Sequence, residues 1–220
     1  MTHGASVPQH PAGAGRGVTA ASVRAVIAAA RGIRRPLVLI DGPSGTGKST
    51  LADATRAWWP EGPPALVRLD DVYPGWSGLE RAAVELARSL VPPLRRGEIG
   101  TWRRWDWAGD RPGDLIRLRP GSPLIVEGCG AFEAGRGAHD AVRVWVDAPD
   151  AVRRRRALHR DSGAYDPFWD MWERQWRRYV HRTSPLRLAD VHVRAAPDGP
   201  PRPAETSRAA PVQARGGGLT

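Results

Sequence analysis

The stretch Pro36-Leu-Val-Leu-Ile-Asp-Gly-Pro-Ser-Gly-Thr-Gly-Lys-Ser-Thr50 sets a short apolar run, a glycine-rich turn and a Lys-Ser-Thr helix start in direct succession. It reads as strand, phosphate loop, helix. Gly42, four intervening residues, then Gly47, Lys48 and Ser49 have the spacing of a P-loop. The glycines let backbone N–H groups turn inward around phosphate oxygens, and the helix opening near Gly47 points its positive dipole end at the same anion. The whole loop, with Gly42, Ser44, Gly45, Thr46, Gly47, Lys48, Ser49 and Thr50, is therefore the expected nucleotide cradle. Lys48 is expected on the β- and γ-phosphates, and the Ser49 hydroxyl on a nucleotide-bound Mg²⁺.

Composition isolates the same lysine. Lys48 is the only lysine among 33 Lys and Arg residues, so every other basic side chain is arginine. A chain-wide preference for arginine is broken at the one place where a tight phosphate loop needs a compact ammonium.

The 220 residues suit one domain with tails, and the formal charge of +10 is spread along the chain rather than gathered on one stretch. That spread argues for a solvated surface over a dedicated nucleic-acid face. The single cysteine, Cys129, excludes an internal disulfide and suits a reducing compartment. With no signal-like segment and no apolar run of membrane-spanning length, a cytoplasmic protein without a membrane partner is expected.

Outward from the loop, residues 1–18 and 195–220 read as disordered tails around a domain of residues 19–194. Thr19 caps an expected helix to about Arg31, and a helix from Lys48 to about Trp59 follows the loop. Ala65 to Leu69 is an apolar run ending in Asp70-Asp71, and Ser77 to about Leu90 has helical spacing. Residues 92–114 fit neither period and read as a functional loop, with a short strand at Leu115 to Leu118. Two more buried strands end in Glu127 and Asp147. An Arg-rich helix to about Arg160, a Trp-striped helix from about Pro167 to His181 and a last strand at Val191 to Val193 complete the order. Alternating strands and helices give an α/β fold with a parallel sheet, of the three-layer P-loop NTPase type. Asp41, Asp70, Glu127 and Asp147 each follow a strand, at the sheet edge where open α/β folds bind ligands.

The order of motifs resembles the uridine kinase and phosphoribulokinase branch of P-loop kinases. The matching pieces are Gly42 to Thr50, Asp70-Asp-Val-Tyr73, Trp105-Asp106-Trp107, Leu124-Ile-Val-Glu-Gly128, the Arg153 to Asp161 run and Ala189-Asp190-Val191, spanning about residues 36–193. The resemblance implies an ATP- and Mg²⁺-dependent kinase of a small alcohol, with a nucleoside as the leading acceptor. It implies that Asp70 is the carboxylate beside the acceptor hydroxyl, with Asp71 as the competing neighbour. Tyr73, Trp105 and Asp106 would hold the acceptor, although the family's usual tyrosine is here Trp105. Glu127 would attend the metal, with Asp147 as the alternative. Arg153, Arg156 and Arg160 share one helical face and would form a lid over the phosphates, with Arg156 and Arg160 acting on transfer, whereas Arg154 and Arg155 would face solvent. A sugar or vitamin precursor as acceptor, or a P-loop ATPase or regulatory switch, remain the alternatives. The Asn-Lys-x-Asp guanine-reading loop of GTPases is missing, because the chain has no asparagine.

Overall fold

A computed structural model describes residues 18–160 and 163–195. The two expected tails lie outside these residues, apart from Val18 and Ala195 at their inner ends. Five strands, β1 (Leu37–Asp41), β2 (Ala65–Arg68), β5 (Leu124–Glu127), β6 (Val142–Asp147) and β7 (Val191–Arg194), form one sheet in the order β2-β5-β1-β6-β7. Every neighbouring pair is parallel. Because the central strands are buried on both faces, their residues divide by the two-residue period between two cores. Val38, Ile40, Ile125, Val144 and Val146 pack with α1 (Ala20–Ala29) and α2 (Lys48–Ala57). Leu37, Leu39, Leu124, Val126 and Trp145 face the other way, toward α3 (Leu79–Ser89), α5 (Ala131–Ala134) and α7 (Trp169–Thr183). The result is three layers with the P-loop at the carboxyl end of the middle strand.

Local chemistry sets the element ends. The Thr19 side chain accepts the Ser22 N–H and starts α1, as its position predicts. β2 stops one residue early: Leu69–Asp71 form a 3₁₀ turn, so Asp70 projects from a turn and not from a continuing strand. The two prolines at 92 and 93 fall within the first turn of the short helix α4 (Val91–Arg95), where a missing N–H costs little.

One expectation is corrected. Residues 92–114 are not a loop: beyond α4 they enter an antiparallel hairpin of β3 (Gly100–Asp106) and β4 (Arg111–Leu118), with a register shift between Arg103 and Trp105. The hairpin stands apart from the main sheet; β3 exposes only Arg103 and Arg104, whereas β4 is exposed along most of its length. It therefore lacks the alternation of apolar residues that marks a half-buried strand.

Helix α7 braces the site-bearing edge through three polar side chains. Tyr179 donates to the Asp41 carboxylate at 2.7 Å, Gln175 donates to the Trp76 carbonyl at 2.8 Å, and Glu173 receives Arg153 of α6 (Asp150–Arg160). Among the described residues, no helix is long and apolar enough to cross a membrane.

Candidate active site

The P-loop leaves β1 through Asp41, which is fully buried and accepts four hydrogen bonds, from the Gly42, Gly130 and Phe132 N–H groups and the Tyr179 hydroxyl. Burial pushes this carboxyl up from its ordinary value, and the four donors pull it back. With every acceptor position taken, Asp41 fastens the loop to the start of α5 and to α7 and offers nothing to a ligand.

Two loop glycines meet backbone directly. At Gly42 (φ +144°) a Cβ would lie 2.1 Å from the Val146 carbonyl oxygen, and at Gly45 (φ +80°) 1.9 Å from that of Arg153. No other residue type fits either place. Inside the loop, Thr46 is fully buried and donates its hydroxyl to the Pro43 carbonyl at 3.0 Å. The Lys48 ammonium, at the first residue of α2, donates to the same carbonyl at 2.9 Å and lies 3.7 Å from the Cys129 sulfur. Gly47 forms the left-handed N-cap of α2, and Thr50 lies in the first turn of that helix.

Of the four acids that follow strands, Glu127 interacts with Lys48, and Asp70 lies beside Glu127. Glu127 is buried, and its carboxyl is raised to about 7, chiefly by desolvation, with the Asp70 charge adding to the rise and Lys48, Arg68 and the Ser49 hydroxyl opposing it. Asp70 acts electrostatically on Glu127, Tyr73, Cys129 and Tyr165, which sets its carboxylate among these groups. Asp71 beside it is exposed. Asp147 instead accepts the N–H of Ala148, closing its own turn.

The donor set suits a magnesium ion carried by a nucleotide. Arg68 Nε approaches Glu127 Oε1 at 3.4 Å, yet this buried oxygen makes no hydrogen bond. A carboxylate oxygen without a hydrogen bond, beside the Ser49 hydroxyl, can accept a cation or its hydration water. No cluster of three or more His, Cys, Asp or Glu side chains able to hold a metal occurs among the described residues. A cation here would complete its shell with phosphate and water, the habit of Mg²⁺ and not of a metal held by a protein cage.

The expected acceptor residues divide. The Tyr73 ring is buried edge-on to Trp172, and its hydroxyl donates to the Cys129 carbonyl at 2.9 Å, so it braces the turn after β5. The Asp106 carboxylate receives the Gly109 N–H at 3.0 Å and Arg111 Nε at 3.3 Å, both within its own hairpin turn. Trp105 is half-buried, and its indole N–H has no partner. It is Trp107, two residues on, whose indole donates to the Asp70 carbonyl at 2.8 Å and joins the hairpin to the site.

On α6 the expected single-faced lid is corrected at Arg153. Its guanidinium is buried, paired fork to fork with Glu173 at 2.7 and 2.8 Å and bonded to Asp150 at 2.8 Å. Arg153 therefore ties α6 to α7, with its guanidinium taken up by these two acids. Arg156 is half-buried and Arg160 exposed, and Arg160 acts on the Tyr165 hydroxyl.

Two further residues were not singled out by the sequence as part of the site. Tyr165 donates to the Ser44 hydroxyl of the P-loop at 3.1 Å across 121 positions, and its ring stacks on Trp76 at 4.9 Å. The Cys129 thiol donates to the Gly42 carbonyl at 3.3 Å and lines the loop's inner side. Its position directly after Glu127-Gly128, at the end of a strand, is the only hint that residue type and spacing provide.

No protein-family model matches the chain, and no curated protein matches it in sequence. Among solved structures, a possible uridine kinase from Bacillus stearothermophilus aligns with a TM-score of 0.56 at 18% identity, over 79% of this chain and 97% of that one. A candidate fructose transport system kinase from Silicibacter sp. TM1040 aligns with a TM-score of 0.48 at 19% identity, over 80% and 99% of the two chains. The first likeness, with the five-stranded parallel sheet, shows that this chain shares the α/β fold of that structure.

Proposed function

We propose that the protein is an ATP- and Mg²⁺-dependent phosphotransferase that moves the γ-phosphate to a hydroxyl of a small molecule, with a nucleoside as the leading acceptor. The observation that carries this reading is the convergence of Lys48, Glu127 and Asp70 at the carboxyl end of the sheet, one carboxylate more than nucleotide binding alone requires. A bound Mg²⁺ would neutralise charge on the β- and γ-phosphates during transfer.

The chain's own groups supply the rest. The P-loop N–H groups and Lys48 hold the phosphates, with Lys48 exchanging its bond to the Pro43 carbonyl for phosphate oxygens. Ser49 and Glu127 hold the metal. Asp70 orients the acceptor hydroxyl and takes its proton as the new P–O bond forms, a role worth typically 10²- to 10⁴-fold. Arg156 and Arg160 support charge on the transferring group. Tyr165, bonded to Ser44, stands beside the loop and helps exclude water.

A second reading within the same chemistry has its own support. Asp106 is spent on its hairpin turn, and the wall beside Asp70 is aromatic, with Trp76 stacked on Phe168 at 4.8 Å and near Trp107 at 5.1 Å. An acceptor alcohol other than a nucleoside, such as a sugar or vitamin precursor, is therefore the alternative. Incubating the protein with Mg-ATP and a panel of nucleosides and other small alcohols, and following ADP release with product mass, tests both. ADP release that no acceptor increases, with no phosphorylated product, would leave an ATPase or switch in place of a kinase.

A further inference from the structure

At the amino end of the sheet lies a cavity whose charged lining residues are all arginines. Its volume is about 150 Å³, and Arg34, Arg35, Arg95 and Arg119 line it without a single acid. The composition makes arginine common everywhere, so the contrast with other clusters matters. In the open cleft between α6 and α7, Arg153, Arg154, Arg174 and Arg177 are answered by Asp150, Asp170 and Glu173. Elsewhere Arg68, Arg96, Arg111 and Arg182 each pair with an acid. In the amino-end cavity only Arg95 has such a partner, Asp140, and that residue is not part of the wall. Arg34, Arg35 and Arg119 have no ion-pair partner among the described residues. Arg35 also takes a left-handed φ of +57°, which a bulky side chain rarely adopts.

The floor has a different character. Leu37 and Leu124, the first residues of β1 and β5, and Leu94 of α4 give it an apolar base. The volume is that of a benzene-sized body. Guanidinium groups match the paired oxygens of a phosphate better than any other side chain. Since β1 runs five residues from this floor to the P-loop, at ~3.3 Å each, the cavity lies roughly 15 Å from the phosphate loop and is independent of it.

We propose that this cavity binds a small phosphomonoester, with the phosphate held by Arg34, Arg35 and Arg119 and a ring-sized organic body on the leucine floor. The proposal does not depend on the kinase reading, because it concerns the opposite end of the sheet.

The test uses the full chain carrying Lys48→Ala, so that the P-loop does not compete for phosphate, and titrates phenyl phosphate by calorimetry. Saturable binding is expected, weaker for inorganic phosphate because it leaves the apolar floor empty. Arg35→Gln and Arg119→Gln should each weaken phenyl phosphate by about tenfold, the equivalent of one charge-assisted hydrogen bond of about 1.5 kcal/mol. Arg24→Gln, on the exposed side of α1, should leave it unchanged. Thermal melts of the variants check that folding is intact, and Arg119→Gln alone suffices if Arg35→Gln proves unstable. The proposal is overturned by no saturable binding, by equal loss in the Arg24 variant, by phosphate binding as well as phenyl phosphate, or by a single-stranded oligonucleotide displacing the probe. The last result would make the patch a nucleic-acid face.

Discussion

Replacing Glu173 by Gln keeps the shape of the side chain and removes the charge that Arg153 was built to meet. Both side chains are more than nine-tenths buried, and two parallel N–H···O bonds of 2.7 and 2.8 Å join them. With charge centres about 4 Å apart and an effective dielectric near 20, their attraction is about 4 kcal/mol. Breaking such a pair from one side costs about 3–5 kcal/mol, because the remaining charge stays buried. Asp150 still meets the guanidinium at 2.8 Å from its exposed side, which places the expected loss near the lower end, about 3 kcal/mol. For a chain of this size that lowers Tm by roughly 6–12 °C. Urea unfolding and thermal melts at neutral pH measure it. The double change Arg153→Met with Glu173→Leu should recover much of the loss, since an apolar pair leaves no buried charge. A single-variant cost below about 1 kcal/mol would refute the strut reading. So would a double variant as unstable as the sum of the two single changes, and Arg153 would return to the lid.

The remaining predictions concern the site itself. Lys48→Ala should abolish transfer, and Lys48→Arg should impair it severely because a planar guanidinium does not fit where the ammonium now meets the Pro43 carbonyl; unchanged turnover in the arginine variant would defeat that account. Asp70→Asn should leave nucleotide binding largely intact and lower phosphorylation at least about 10²-fold, with Asp71→Asn doing much less; steady-state kinetics showing the reverse order would exchange their roles. Glu127 has a native value near 7 against an ordinary 4.5, so its contribution to stability is complete below about 4.5 and is lost as pH rises through 7. Ligand-free protein should therefore lose up to about 3 kcal/mol between those limits, and Glu127→Gln should lack this slope; parallel melts of the two proteins across that range would show Glu127 to be an ordinary exposed acid.

The parts of the fold that are legible in the sequence are those that adjacency encodes. A buried parallel strand is a continuous apolar run, so Leu37 to Ile40 and Leu124 to Val126 declare themselves, and the acid that follows each must lie at the carboxyl edge. What adjacency does not encode is which of those acids is already bonded. Asp41 and Glu127 end neighbouring strands in the same chemical dress, yet four donors consume the first, and one oxygen of the second has none. The hairpin was illegible for a related reason: burial is confined to a few positions such as Gly100 and Trp102 while β4 is mostly exposed, so no sustained alternation is imposed on the sequence.

The arginines of α6 show the same limit at closer range. Helical spacing groups Arg153, Arg156 and Arg160 on one side of a helix, but spacing says nothing about what that side meets. The inward positions of α6 are Arg153 and Ala157, both buried, and a run of four consecutive arginines hides so small an apolar mark. The deciding residue is Glu173, 20 positions away on another helix, because a buried guanidinium is tolerable only where a carboxylate waits for it. Once that pair is made, the Arg153 carbonyl is fixed 1.9 Å from where a Cβ on Gly45 would stand, so the glycine of the loop and the strut of α6 specify each other. Replacing Gly45 by Ala should therefore displace α6 as well as strain the loop.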